Sequence, residues 1–123
     1  METIVVVDDD QVFSELLTTV LTMRGYRAVV RTAPEQVLPA VQEEEPALVL
    51  MDFHMESENT LSTLRELKGD DSLRDIPVLM TSGMDHAHEC LGAGADAFIL
   101  KPFRPSEMLD KINDLIEARQ QRG

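Results

Sequence analysis

The chain has 123 residues, enough for one hydrophobic core, so any function has to sit on a single compact body. Acidic residues number 23 against 11 Lys and Arg, a formal net charge of -12, and no basic block occurs, which excludes the concentrated positive face that direct nucleic-acid binding needs. The single cysteine, Cys90, rules out an intramolecular disulfide and a paired-cysteine metal site, and no apolar stretch nears the roughly 20 residues of a membrane span, so a cytoplasmic setting without membrane association is expected.

The first element is "TIVVVD", residues 3 to 8, a β-branched run that reads as a buried strand and passes straight into three carboxylates, Asp8, Asp9 and Asp10. Asp10 directly precedes a helical pattern and is expected to cap it. Val12, Phe13, Leu16, Leu17, Val20 and Leu21 then recur with a period of about 3.6, predicting a helix of about 13 residues that ends at Gly25. "YRAVVR" (26 to 31) is the second strand. Pro34 suits the first turn of a second helix with Val37, Leu38 and Val41 on its buried stripe, Pro46 stops it, and the acidic run at 43 to 45 reads as solvated surface. "ALVLMD" (47 to 52) is the third strand, Ser57 or Asn59 caps a third helix carrying Leu61, Leu64 and Leu67, and "PVLMTS" (77 to 82) is the fourth strand. Asp85 to Leu91 form only a stunted fourth helix before "GAG". "DAFILK" (96 to 101) is the fifth strand, and Pro105 starts a last helix with Met108, Leu109, Ile112, Leu115 and Ile116 inward.

Apolar strands alternating with helices predict an α/β domain, a doubly wound five-stranded parallel sheet covered on both faces. The functional crevice of such sheets lies beyond the carboxyl ends of the strands. Strand one ends in Asp8 and Asp9, strand three in Asp52, strand four in Ser82 and strand five in Lys101. Carboxylates about 5 Å apart repel by roughly 3 kcal/mol per pair at an effective dielectric of about 20, so this cluster has to take up protons or hold a cation. A hard divalent ion with oxygen ligands, Mg2+, suits it. Asp52, alone on a central strand, is the candidate nucleophile toward phosphorus, and Lys101 with the Ser82 hydroxyl would stabilise charge on the transferred oxygens.

Four motifs in order, "VVDDD", "LVLMDFHM", "PVLMTSG" and "GADAFILKPF", make the chain resemble the receiver domain of two-component response regulators over essentially its whole length. That resemblance implies the flavodoxin-like strand order 2-1-3-4-5, a receiver domain over residues 1–120 and a tail at 121–123. It implies that Asp52 accepts a phosphoryl group from a sensor histidine kinase or histidine phosphotransfer protein, and that the state is read by a downstream protein. Asp9, Asp52 and the backbone carbonyl of His54 would hold Mg2+, with Asp8 assisting through water. Ser82 would turn toward the phosphoryl group, Phe98 would swing into the space vacated, and the Lys101-Pro102 bond would be cis. No enzyme activity is expected beyond self-catalysed phosphotransfer to Asp52 and hydrolysis from it.

The sequence departs from the family at Glu56, where proline is common, at Thr60, where glycine is common, and between Ser82 and Phe98, which is roughly three residues short, nearly one helical turn. His54 and Met84 occupy positions that line the path of attacking water in this family, and apolar Met84 is expected to orient none. Glu56 and the short fourth helix favour, as the alternative, an interaction module that signals without phosphate. A Mg2+-dependent phosphohydrolase is a weaker rival, because Phe53 and His54 follow Asp52 where such enzymes carry a second aspartate. A histidine metal site is disfavoured, since His86 and His88 do not share a helix face and His54 is distant in sequence. A transcription factor is disfavoured because no second domain follows residue 120.

Overall fold

The computed structural model describes residues 1–122. In chain order its elements are β1 (Thr3–Val7), α1 (Gln11–Met23), β2 (Arg27–Arg31), a single 3-10 turn (Pro34–Gln36), α2 (Val37–Glu44), β3 (Leu48–Asp52), β4 (His54–Met55), β5 (Glu58–Asn59), α3 (Leu61–Gly69), β6 (Val78–Ser82), α4 (Ala87–Gly92), β7 (Ala97–Leu100) and α5 (Pro105–Arg122). Five parallel strands form one sheet in the order β2-β1-β3-β6-β7, which is 2-1-3-4-5 when these strands alone are counted. α5 includes Gln121 and Arg122, two of the three residues read as a tail, and Gly123 lies outside the described residues.

The uninterrupted apolar strands are explained by their two faces. Successive side chains point to opposite sides, so Val5, Val7, Val49, Met51, Val78 and Met80 pack under α2, α3 and α4. Ile4, Val6, Leu48, Leu50 and Leu79 pack under α1 and α5, with Leu17, Leu21, Met108 and Ile112 closing that side. Full burial of each such side chain contributes roughly 1.5–3 kcal/mol relative to exposure, and both layers are needed to cover the sheet.

Helix ends follow the local chemistry. The Asp10 carboxylate accepts the Phe13 N–H at 3.0 Å and caps α1, as expected, and Gly25 beyond its end takes φ 86, a left-handed conformation that glycine adopts without steric penalty. The cap of α3 differs from expectation: Thr60 holds the N-cap position, while Asn59 sits in β5 and receives the Leu61 N–H on its side chain at 3.1 Å. α1 also presents a narrower inward stripe. Phe13, Leu17, Val20 and Leu21 face the sheet, whereas Val12 and Leu16, rotated to the far side, are 79 % and 54 % exposed. α4 has only six residues, as its short connection requires.

Register then aligns the strand ends. Val7 pairs with Met51, so the next residues along, Asp8 and Asp52, emerge side by side. Ser82 pairs with Leu100, so Lys101 leaves the sheet one residue beyond Ser82. At the opposite edge, the Lys68 amine reaches from α3 to the carbonyls of Arg74 and Ile76 at 3.1 and 2.9 Å and to the Asp96 carboxylate at 2.7 Å. Asp96 also accepts the Val78 N–H at 2.8 Å, so one ion pair ties the starts of β6 and β7 to the end of α3.

Candidate functional site

Lys101 is the centre of the strand-end cluster. Its amine donates to the Asp8 carboxylate at 3.1 Å and to the Asp52 carboxylate at 3.3 Å, joining residues 93 and 49 positions away. The same amine lies 4.2 Å above the Phe13 ring, and Phe103 meets that ring edge-on at 5.7 Å. Phe13, read from sequence only as a core residue, therefore also supports the lysine with its negatively polarised face. The Lys101-Pro102 bond is cis.

Asp8 is nearly inaccessible, and its second oxygen accepts the Asp10 N–H at 2.8 Å. Asp9 is exposed and accepts the Glu56 N–H at 2.8 Å. Ligand atoms of Asp8, Asp9 and Asp52 all lie within 4.8 Å of one another, and among the described residues no other His, Cys, Asp or Glu group gathers in this way. Three hard oxygen donors with one ammonium fit Mg2+ better than a softer ion, because they include no nitrogen or sulfur ligand. The carboxyl of Asp52 is held above its ordinary value of 3.8, first by burial and then by the Asp8 charge; Lys101, by charge and hydrogen bond, and the His54 N–H pull it down.

The loop after Asp52 is a two-stranded hairpin not anticipated from sequence. Met55 pairs with Glu58 and His54 with Asn59, and Glu56 and Ser57 form the turn, with Glu56 at φ 59. Proline could not take that angle, since its ring fixes φ near -65°. Thr60 closes the loop: fully buried, it donates its hydroxyl to the carbonyls of Asp52 at 2.8 Å and Phe53 at 3.4 Å. The sequence marked both positions as departures without indicating that one ties the loop to Asp9 and the other to the backbone of Asp52.

Ser82 is buried at the end of β6, where its hydroxyl accepts the Met84 N–H at 3.2 Å and makes no bond to the carboxylate cluster. Phe98 is half-buried against the core beneath α2, α3 and α4, and Met84 is exposed. His54 and His86, distant in sequence, approach to 5.5 Å between ring centroids around Phe53, on which His86 stacks at 4.0 Å. Glu89 meets the Nδ1 of His86 at 3.0 Å, while His86 Nε2 is buried without a partner. No third ligand joins these two histidines among the described residues. Nor is any helix among them long and apolar enough to cross a membrane.

A doubly wound sheet with a lysine-bridged acidic seat at its strand ends has the architecture of a flavodoxin-like receiver. Residues 4–113 match the response regulator receiver domain, and the chain belongs to that family. It is 38 % identical over 112 residues to the DNA-binding response regulator MtrA of Mycolicibacterium paratuberculosis, across 89 % of this chain and 48 % of MtrA, so it spans about half the length of that relative. Its fold matches a CheY-like response regulator receiver domain protein from Methanospirillum hungatei JF-1 with a TM-score of 0.91 at 24 % identity, covering 100 % of this chain and 99 % of that one. The receiver domain of the sensor histidine kinase PA1611 from Pseudomonas aeruginosa PAO1, solved with a magnesium ion coordinated in its active site cleft, matches with a TM-score of 0.85 at 23 % identity, over 94 % of this chain and 98 % of that one.

Proposed function

We propose that this receiver domain works in the cytoplasm as a phosphoacceptor switch, taking a phosphoryl group onto Asp52 from the phosphohistidine of a sensor kinase or histidine phosphotransfer protein. The observation that carries the reading is the Lys101 amine bridging Asp8 and Asp52 beside a third carboxylate, Asp9. A bond forms between an Asp52 carboxylate oxygen and phosphorus as the donor's P–N bond breaks, the electron pair leaving with the imidazole, which takes up a proton. Asp8, Asp9, Asp52 and the His54 carbonyl would hold Mg2+, which when bound neutralises charge on the phosphoryl oxygens and the carboxylates. The magnesium-bearing cleft of the PA1611 receiver supports that assignment by analogy of fold.

Lys101 has two tasks in this reading. It offsets part of the rise that burial imposes on the Asp52 carboxyl, and it supplies a donor to the phosphoryl oxygens once the carboxylate is esterified. Ser82 stands two residues before Met84 in a loop its hydroxyl closes, so turning that hydroxyl to the phosphoryl group releases the Met84 N–H and frees the loop leading to α4. Phe98 follows into the space beside it, and a downstream protein reads the altered face. The strongly acidic charge of this domain argues against a direct nucleic-acid contact of its own.

Intact mass after incubation with acetyl phosphate and Mg2+ tests the proposal on the wild type and on Asp52→Ala. A single phosphoryl adduct, absent from the variant and blocked by a chelator, is the expected result. No adduct, together with no spectral change on adding beryllofluoride, overturns it in favour of phosphate-independent interaction.

A further inference from the structure

The Glu56 turn lies where nothing in the phosphoacceptor chemistry requires a strained residue, and its geometry points at the metal seat. Glu56 takes φ 59, a region that side chains other than glycine rarely adopt. In that conformation its N–H reaches the Asp9 carboxylate of the β1 end, 47 residues away, at 2.8 Å. Asp9 is the exposed member of the three carboxylates, while Asp8 and Asp52 are fixed by Lys101. An exposed aspartate is free to change rotamer, and a ligand that must be immobilised on binding lowers affinity. The bond from Glu56 engages Asp9 Oδ2 alone and leaves the other oxygen for a cation.

We infer that Glu56 is a positioning residue: its backbone N–H, presented by the left-handed turn, holds Asp9 in the orientation that completes the divalent-cation site. The clamp acts through the main chain, so the identity of the side chain matters only in permitting positive φ and retaining an N–H. It also couples the hairpin to the cation, because any movement of the turn moves Asp9. This inference rests on the Mg2+ seat of the proposed function.

Calorimetric titration of Mg2+ into the wild type, Glu56→Pro, Glu56→Gly and Glu56→Gln tests it. Proline removes the N–H and forbids the angle, and affinity is expected to fall about tenfold, in line with loss of a hydrogen-bond partner of a metal ligand. Glycine and glutamine keep the N–H and are expected to bind within about twofold of the wild type. Hydrogen exchange at the Glu56 amide gives a readout that does not depend on the proline variant folding: Asp9→Ala should speed it, and saturating Mg2+ should leave it slow in the wild type. Equal affinity of Glu56→Pro and wild type, an equal fall in Glu56→Gln, or Mg2+-accelerated exchange at Glu56 would each overturn the inference while leaving the metal site intact. A wild type that binds no Mg2+ overturns the metal reading itself, and the clamp with it.

Discussion

Replacing Lys101 with methionine removes the cation that bridges Asp8 and Asp52 while keeping an unbranched side chain of similar length beside Phe13. The Asp8 and Asp52 side chains are 3 % and 12 % exposed and Lys101 is 21 % exposed, so solvent screens the pairs only partly. Each pair has a Coulomb energy on the order of 5 kcal/mol at an effective dielectric of about 20, before the desolvation that offsets much of it. Protonation sets a ceiling on what the variant can lose. A carboxyl with an ordinary value of 3.8 takes up a proton at about pH 7 for about 4 kcal/mol, and one proton on Asp52 is enough to relieve the pair. The expected destabilisation is therefore about 3–4 kcal/mol at about pH 7, shrinking to no more than about 2 kcal/mol at about pH 5. The sign follows from linkage: the folded Asp52 already binds its proton more tightly than the unfolded chain does, and loss of Lys101 strengthens that binding. Its contribution to stability is thus fully present below 3.8 and is lost as pH rises through the raised folded value, further in the variant than in the wild type. Urea unfolding followed by far-ultraviolet circular dichroism, without divalent cations, measures the difference at both pH values. An equal loss at the two, or a loss below about 0.5 kcal/mol at about pH 7, would refute the reasoning and make Lys101 an ordinary surface ion pair.

Thr60→Val keeps shape and burial but leaves the Asp52 and Phe53 carbonyls without the hydroxyl; it is expected to destabilise by about 1–2 kcal/mol and to slow adduct formation at Asp52, both restored by Thr60→Ser. A valine variant as stable and as quickly phosphorylated as the wild type would show that the backbone alone holds the acceptor. At the far edge of the sheet, Lys68→Met and Asp96→Asn are expected to couple by more than about 1 kcal/mol in a double-mutant cycle, because the amine meets the carboxylate at 2.7 Å with both side chains largely shielded from solvent. Additive effects in urea unfolding would reduce that link to two independent surface residues.

What the sequence disclosed and what it hid divide along a physical line. Strand spans were legible to within a residue because the five short apolar runs had no other stable use, the three central ones being buried on both faces, and the acidic run after Val7 could only lie at the end of its strand. Burial on α1 was less legible: Val12 and Leu16 have the same chemistry as Leu17 and Leu21, and only the rotation of the helix about its own axis decides which arc faces inward. The gathering of Asp8, Asp9, Asp52 and Lys101 was legible, but the finer contacts between the loops that carry them were not. His54 reaches His86, and Glu56 reaches Asp9, because parallel strands bring the loops that follow them to one edge whatever their separation in sequence.

The same line accounts for Glu56 and Thr60. As sequence they were two departures from a pattern, one where proline is common and one where glycine is common. In the structure, one supplies an N–H that proline lacks, and the other supplies a hydroxyl that glycine lacks. Both bonds end on residues of the acidic cluster, Asp9 through its carboxylate and Asp52 through its carbonyl. The loop is thus anchored at its turn by Glu56 and at its end by Thr60, and a double variant Glu56→Pro with Thr60→Gly would have to hold Asp9 and Asp52 by other contacts.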